Sequence, residues 1–373
     1  MNNIFTSLKV FSIAVIIFAA VSVANAWAGS PGQWLIDSLK VKDPLYFCNE
    51  QVPLYETDVR ERLDRELLVS LNNSDDVILW LKRSNRYFPY LEKTLKDNAL
   101  PDDIKYIVIV ESFLKPLATS HKGAVGYWQF IESTGSRYGM KINKDTDERR
   151  NFFTSTQAAI AYLKDLYSIF GSWTLAAAAY NMGEDGLKTE MLMQKESNFY
   201  HLYLNQETQR YIFKILAAKI ILSDPEKFGF HLTDDDLYKP IQFDSVEITT
   251  GQSVPIFLIA NAANTYFKEI KELNPQIKNY YLPAGKYNIL IPKGAANGFN
   301  ERFENLLKRW LEEKNKSVYT VERGDNLSII AKRFNVSIKA ILNWNNITDA
   351  KTVSPGDKLI IFPDPNVLKP SKK

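Results

Sequence analysis

The chain has 373 residues, 45% of them apolar and 24% charged, with a formal net charge of +3. That length leaves room for two or three domains of ordinary globular composition. The charge is too small to argue for nucleic acid or strong membrane-surface attraction, and no basic cluster alternates with aromatics along one face.

A single cysteine, Cys48, excludes a disulfide within the chain, and its Tyr46-Phe47 neighbourhood marks it as a small buried residue. His121, His201 and His231 stand far apart without ligand spacing, and neither Gly-x-Ser-x-Gly nor His-Glu-x-x-His occurs. No metal or cofactor is therefore expected.

Lys9 precedes an apolar run from Val10 to Ala24, followed by small residues in Ala24-Asn25-Ala26 and Ala26-Trp27-Ala28. This pattern predicts a signal peptide over 1–26, with cleavage after Ala26 or Ala28. The run is shorter than the ~20 residues a span needs, so an uncleaved anchor is the weaker alternative. No cysteine sits at the cleavage site, and no lipid anchor is expected.

From Pro31 to about Lys96 the pattern is helical, with a stripe at Val59, Leu63, Glu66-Leu67 and Ser70, and Asp75-Asp76 as an N-cap for Val77 onward. A helix from Pro89 to Asn98 is expected next, and Leu100-Pro101-Asp102-Asp103 then restarts the chain. Ile107-Val108-Ile109-Val110 is apolar all round, the mark of a buried element, and it runs into Glu111. A carboxyl there loses hydration, its pKa rises toward neutrality, and it holds a proton to donate. The competing reading is that Glu111 turns to solvent where the buried element ends.

Pro116, Ser120, Gly123 and Gly126 predict a loop, whose glycines let backbone approach a ligand closely. Helices are expected over Ile131–Tyr138, Thr154–Phe170, Trp173–Asn181 and Gln206–Leu222. Beyond the acidic turn Asp234-Asp235-Asp236 the texture changes to an internal repeat offset by about 70 residues. Val246-Glu-Ile248 matches Tyr319-Thr-Val321, and Leu258-Ile259-Ala260 matches Ile329-Ile330-Ala331. Leu273-Asn274 matches Leu342-Asn343, and Leu290-Ile291-Pro292 matches Ile361-Phe362-Pro363. Each unit reads as strand, two short helices, strand. Between them a helix is expected from about Asn300 to Glu313, and Glu312 to Ser317 reads as a polar linker that lets the last module move.

Glu111-Ser112, Gly123-Ala124, Gly126-Tyr127-Trp128-Gln129 and Ala179-Tyr180-Asn181, in that order, resemble the lytic murein transglycosylases, in particular their membrane-bound transglycosylase D branch. The resemblance runs from about Phe47 to Pro363, and the segment from Tyr319 to Ala331 resembles LysM, a glycan-binding module. It implies an α+β multidomain chain: an all-α lysozyme-like catalytic domain followed by βααβ LysM-type modules. The expected parts are an N-terminal helical region (27–88), a catalytic domain (89–238), a degenerate LysM-like module (243–293), a helix and linker (294–316), a LysM domain (317–363) and a tail (364–373).

The implied activity is cleavage of the β-1,4 bond between N-acetylmuramic acid and N-acetylglucosamine, leaving a 1,6-anhydromuramic end. Glu111 would be the acid and then the base, and the substrate's N-acetyl group would take the place of a second carboxylate. Gln129, Tyr180 and Asn181 would bind the sugar, with Ser112, Ser120 and Glu207 holding the loop or lining the site. In the LysM copy, Gly324, Asp325, Asn326, Asn346 and Ile347 would form the glycan groove. Departures from the family pattern are Tyr127, expected to narrow or stack the groove, and Glu132 and Lys115. The resemblance further implies peptidoglycan strands as partner, a periplasmic or secreted monomer, and peripheral membrane association left open. A goose-type hydrolase or a wall-binding scaffold without turnover are the alternatives. Each supporting residue also has a plainer role: Tyr180 and Asn181 as a helix end, Gln129 as a loop amide, Glu207 as a helix N-terminal acid.

Overall fold

The computed structural model describes residues 31–345, 347 and 353–362. The expected signal peptide, the tail and Asn346 lie outside the described residues. Among the described residues no helix is long and apolar enough to cross a membrane. The described residues divide into two compact units, one of 31–140 and 148–241, the other of 141–147 and the described residues from 242 on.

In the first unit a short helix α1 (Pro31–Ser38) and a two-stranded hairpin, β1 (Tyr46–Phe47) and β2 (Glu50–Gln51), lead into α2 (Thr57–Asn72) and α3 (Ser74–Asp97). The stripe on α2 faces inward: Val59, Leu63, Leu67 and Leu71 are buried, and so is Glu66, whereas Ser70 is not. Helix α3 corrects the reading of a new helix at Pro89, which lies inside it. An interior proline costs a hydrogen bond, but Tyr87, Phe88 and Leu91 on either side are all buried, and their packing holds the helix through the break. Asp75 and Asp76 occupy the first turn rather than the cap, which is Asn73.

The apolar run becomes α4 (Ile107–Ser112), entered through a tight turn over Asp102–Tyr106. Six residues do not make a stable helix in isolation. Packing supplies the stability, since Ile107, Val108 and Ile109 are fully buried, each worth roughly 1.5–3 kcal/mol. The helix stops because Phe113 and Leu114 both turn left-handed, at φ 54° and 57°, and Arg83 donates to the Phe113 carbonyl at 2.9 Å.

After the loop come α5 (Glu132–Arg137), α6 (Phe152–Phe170), α7 (Trp173–Met182), α8 (Glu184–Gln194) and α9 (Gln206–Ser223). Side-chain caps set three of these starts: Asn151 for α6, Ser172 for α7 and Asn205 for α9. Ala176 to Ala179 are fully buried, so α7 packs closely on α6 and α9. Helix α9 is central, touching α2, α4 and α7.

The second unit holds the two repeats. In the first, β3 (Phe243–Thr250) pairs antiparallel with β6 (Gly285–Pro292), and β4 (Val254–Pro255) with β5 (Tyr281–Leu282). Between them run α10 (Ile256–Ala262) and α11 (Phe267–Leu273). Val246 and Ile248 point inward and Glu247 and Thr249 outward, the period of a half-buried strand. The second repeat has β7 (Val318–Thr320) paired with β8 (Lys358–Ile360) around α13 (Leu327–Phe334) and α14 (Ile338–Asn345).

Two readings of this half need correcting. Asn274 bonds the Ile270 carbonyl and both backbone groups of Leu290, and Asn345 does the same to Ile341 and Ile360. The repeats therefore align Asn274 with Asn345, not Asn343, and Leu290 with Ile360. The Leu342-Asn343 string lies one half-turn short of the amide with the structural role. The polar linker is also absent: α12 (Phe299–Lys316) runs through it up to Ser317. Glutamate and lysine are good helix formers, and a charged composition alone does not make a coil.

Candidate active site

Glu111 lies in the last turn of α4, half-buried. Its neighbour Ser112 is buried and donates to the Tyr127 carbonyl at 2.6 Å, fastening the helix to the glycine-bearing loop. That loop is tightly tied. Gly126 has φ +85°, and a Cβ there would lie 1.9 Å from the Arg149 carbonyl oxygen, so no other residue fits. Arg149 in turn donates to the Gly123 and Phe130 carbonyls, each at 3.2 Å.

Ser120 closes a four-residue turn: the Gly123 amide donates to its carbonyl at 3.0 Å, and the Ala124 amide to its hydroxyl at 3.1 Å. Gln129 adopts φ 50° and spends its amide hydrogens on the Ala118 and Gly126 carbonyls, at 3.2 and 2.8 Å. It braces the loop, and what it has left to offer a ligand is its carbonyl oxygen. Tyr127 is not in a groove. It is buried, with its hydroxyl 3.1 Å from that of Tyr87 and its ring against Phe152. Glu132 and Lys115 are exposed.

Tyr180 donates to the Trp128 carbonyl at 2.7 Å, and burial first, then the charge of Glu111, push its pKa well up. Asn181 accepts from the Thr208 hydroxyl at 2.8 Å, joining α7 to α9. Glu207 is exposed at the start of α9 and pairs with Lys122 at 3.1 Å.

Tyr211, which carried no role in the sequence reading, donates a short hydrogen bond to Glu111 Oε1. The available signal was its place four residues after Glu207, which puts both on one face of α9. Removal from water dominates the titration of Glu111 and raises its pKa to about 7. The Tyr211 hydroxyl lowers it, Glu207 raises it and Lys214 lowers it, in falling order. Glu111, Ser112, Ser120, Gln129, Tyr180, Asn181 and Glu207 are thus brought together by one loop and three helices. The group is a carboxyl whose pKa burial raises to about 7, with the Tyr211 hydroxyl donating to it and Tyr180 within reach of its charge.

The transglycosylase SLT domain family matches residues 88–203. The chain is thus similar to that family over this segment. Residues 242–306 match the LysM-like domain of lytic transglycosylase MltD, and 319–362 match LysM. The membrane-bound lytic murein transglycosylase D of Escherichia coli strain K12 is 32% identical over 293 residues, 75% of this chain and 64% of that protein. The chain thus spans just under two thirds of this relative. Two solved lytic transglycosylases also match. The Slt enzyme of Pseudomonas aeruginosa has 19% identity and a TM-score of 0.29, over 41% of this chain and 26% of that one. The 70 kDa soluble enzyme of Escherichia coli has 16% identity and a TM-score of 0.34, over 50% and 34%.

In the LysM domain the expected groove residues are turned to internal duties. Gly324 has φ +95°. Asp325, its side chain only 5% exposed, accepts from Tyr319, the Glu322 amide and Arg333. Asn326 caps α13 through the Ile329 amide, and Ile347 packs partly buried on the module's core.

Proposed function

We propose that this chain is a lytic transglycosylase, cutting peptidoglycan strands between N-acetylmuramic acid and N-acetylglucosamine and leaving a 1,6-anhydromuramic end. The observation that carries the reading is the state of Glu111. With a pKa raised to about 7 by burial, it is protonated often enough to give its proton to the leaving glycosidic oxygen and basic enough to take one back. Among the described residues the other carboxylate that bears on it, Glu207, is exposed and paired with Lys122. That arrangement favours a substrate-assisted route over the paired-carboxylate one.

In this scheme protonated Glu111 delivers its proton as the C1–O bond breaks, and the substrate's N-acetyl oxygen supports the positive ring carbon. The 6-hydroxyl oxygen then bonds to C1 while its proton returns to Glu111. No water is consumed. Tyr211 keeps the carboxyl aimed through both steps, and the braced loop holds the ring so that O6 faces C1, an orientation effect. The LysM-type modules would hold the enzyme on its polymeric substrate, which raises the local concentration of strands. The domain boundaries, exported location and monomeric state read from the sequence belong to the same proposal.

Mass analysis of products released from purified peptidoglycan tests it. Anhydro ends, lighter by one water than hydrolytic ends and lost in Glu111→Gln, are expected. Reducing ends alone would make the enzyme a hydrolase, and binding without release would make it a scaffold.

A further inference from the structure

We propose that Lys122 is a specificity-determining residue of this site, its ammonium leaving Glu207 to bind a carboxylate on the lactyl side arm of the bound strand. The inference rests on the transglycosylase reading and names the substrate feature that the site would select. Lys122 sits at the third position of the Ser120–Gly123 turn, whose backbone is fixed by the Ser120 and Arg149 hydrogen bonds while its side chain is 80% exposed. The backbone under the lysine is tied down, while its ammonium lies in solvent, paired with Glu207.

Its partner Glu207 is 57% exposed. An ion pair of that kind holds weakly and is screened by salt. Glu207 also stands in the first turn of α9, where the helix dipole already favours a negative charge. Neither residue needs the other to fold. Glu207 lies one helical turn from Tyr211, which holds Glu111, so the ammonium sits at one edge of the reacting centre. On this proposal the side arm of a muramic residue whose glycosidic bond lies at Glu111 extends toward that ammonium. Its carboxylate comes either from the lactyl group itself, once the peptide is gone, or from the stem peptide. A strand of plain N-acetylglucosamine offers neither.

The full chain and its Lys122→Ala, Lys122→Glu and Lys122→Arg variants would be assayed at low salt on three substrates. These are native peptidoglycan, peptidoglycan stripped of stem peptides by an amidase, and native peptidoglycan with its carboxyls converted to amides. Lys122→Ala is expected to lower kcat/KM on native strands roughly fivefold, mostly through KM, as loss of one exposed charge contact does. Lys122→Glu should lower it further, and Lys122→Arg should restore it. None should change turnover of the amidated strands.

A loss shared by the stripped strands means that the ammonium takes whichever carboxylate the side arm carries, the stem's or the freed lactyl one, and a loss confined to peptide-bearing strands assigns it to the stem. Equal losses on native and amidated strands would mean that Lys122 acts through Glu207 and the acid, and would overturn the proposal. So would an equal loss in Lys96→Glu, a charge reversal at an exposed lysine in the last turn of α3. Release of no anhydro product by the unaltered chain from any substrate would overturn the transglycosylase reading along with it.

Discussion

Around Glu111 two of the side-chain ties between helices are ionisable, whereas the tie repeated in both LysM-type modules is a neutral amide. Glu66 on α2 and Arg210 on α9 form a two-pronged pair, at 2.6 and 3.0 Å, with Glu66 almost wholly buried. Glu111 itself joins α4 to α9 through Tyr211. In the modules, Asn274 and Asn345 each stitch a helix end to the last strand with three hydrogen bonds. An amide tie keeps its strength at any pH, while the charged wall does not. A site that has to pass a proton back and forth cannot be built from amides alone, and its surroundings inherit the sensitivity.

The largest effect should come from breaking the buried pair. Arg210→Met leaves Glu66 in the interior with its charge unmatched, at a cost of about 3–5 kcal/mol. Denaturant unfolding of the full chain would measure it, with hydrogen exchange in the modules unchanged. A smaller loss than that of an amide variant would reverse the contrast drawn between the two regions.

Glu111→Gln probes the same wall through pH. The carboxyl's folded pKa of about 7 lies above its ordinary value of 4.5. The folded state therefore holds the proton more tightly than the unfolded chain does. Below pH 4.5 both states are protonated and the carboxyl costs nothing. Between 4.5 and 7 the penalty grows, and above 7 it is complete, at about 3 kcal/mol. The glutamine variant should accordingly be more stable than the parent by up to that amount at pH 8 and no more stable at pH 4. Inactivity with a gain in stability would mark a group kept for chemistry.

The sequence made some of this legible and hid the rest for identifiable reasons. An apolar run ending in an acid pointed to Glu111, because desolvation follows from the pattern itself. A glutamate inside the apolar stripe of α2 was the trace of a buried ion pair, but its partner lay 144 residues away and no local rule finds it. Gln129 looked like a hand for the sugar. Its left-handed backbone and the two carbonyls its amide meets depend on how the loop closes, which spacing does not record. Leu342-Asn343 repeats the letters of Leu273-Asn274, but it is Asn345 that meets the strand edge needing satisfaction, and letters do not record that edge.

Asn274→Ala and Asn345→Ala should each destabilise their own module by about 2 kcal/mol, since each strips partners from buried backbone groups. The loss should be the same at pH 5 and pH 8, in contrast to the Glu111 variant. Local hydrogen exchange at Leu290 and Ile360 would report it. A pH-dependent loss would mean that these ties lean on a neighbouring charge and are not the neutral counterpart of the wall.

The smallest effect, and the one that separates positioning from burial, is that of Tyr211→Phe. Tyr211 donates to the ionised carboxyl, so its hydroxyl favours the charged form and opposes the desolvation that raises the pKa of Glu111. The phenylalanine ring keeps the site dry and removes the donor. That single change acts in one direction: the acid should hold its proton to higher pH than in the parent. The alkaline limb of the rate profile, which follows loss of the proton to be donated, should then move upward. The acid limb, which follows the base that retrieves it, should move with it, because one carboxyl serves both steps. Movement of the alkaline limb alone would mean that a second group takes the proton back, and the single-acid scheme would need a partner for Glu111.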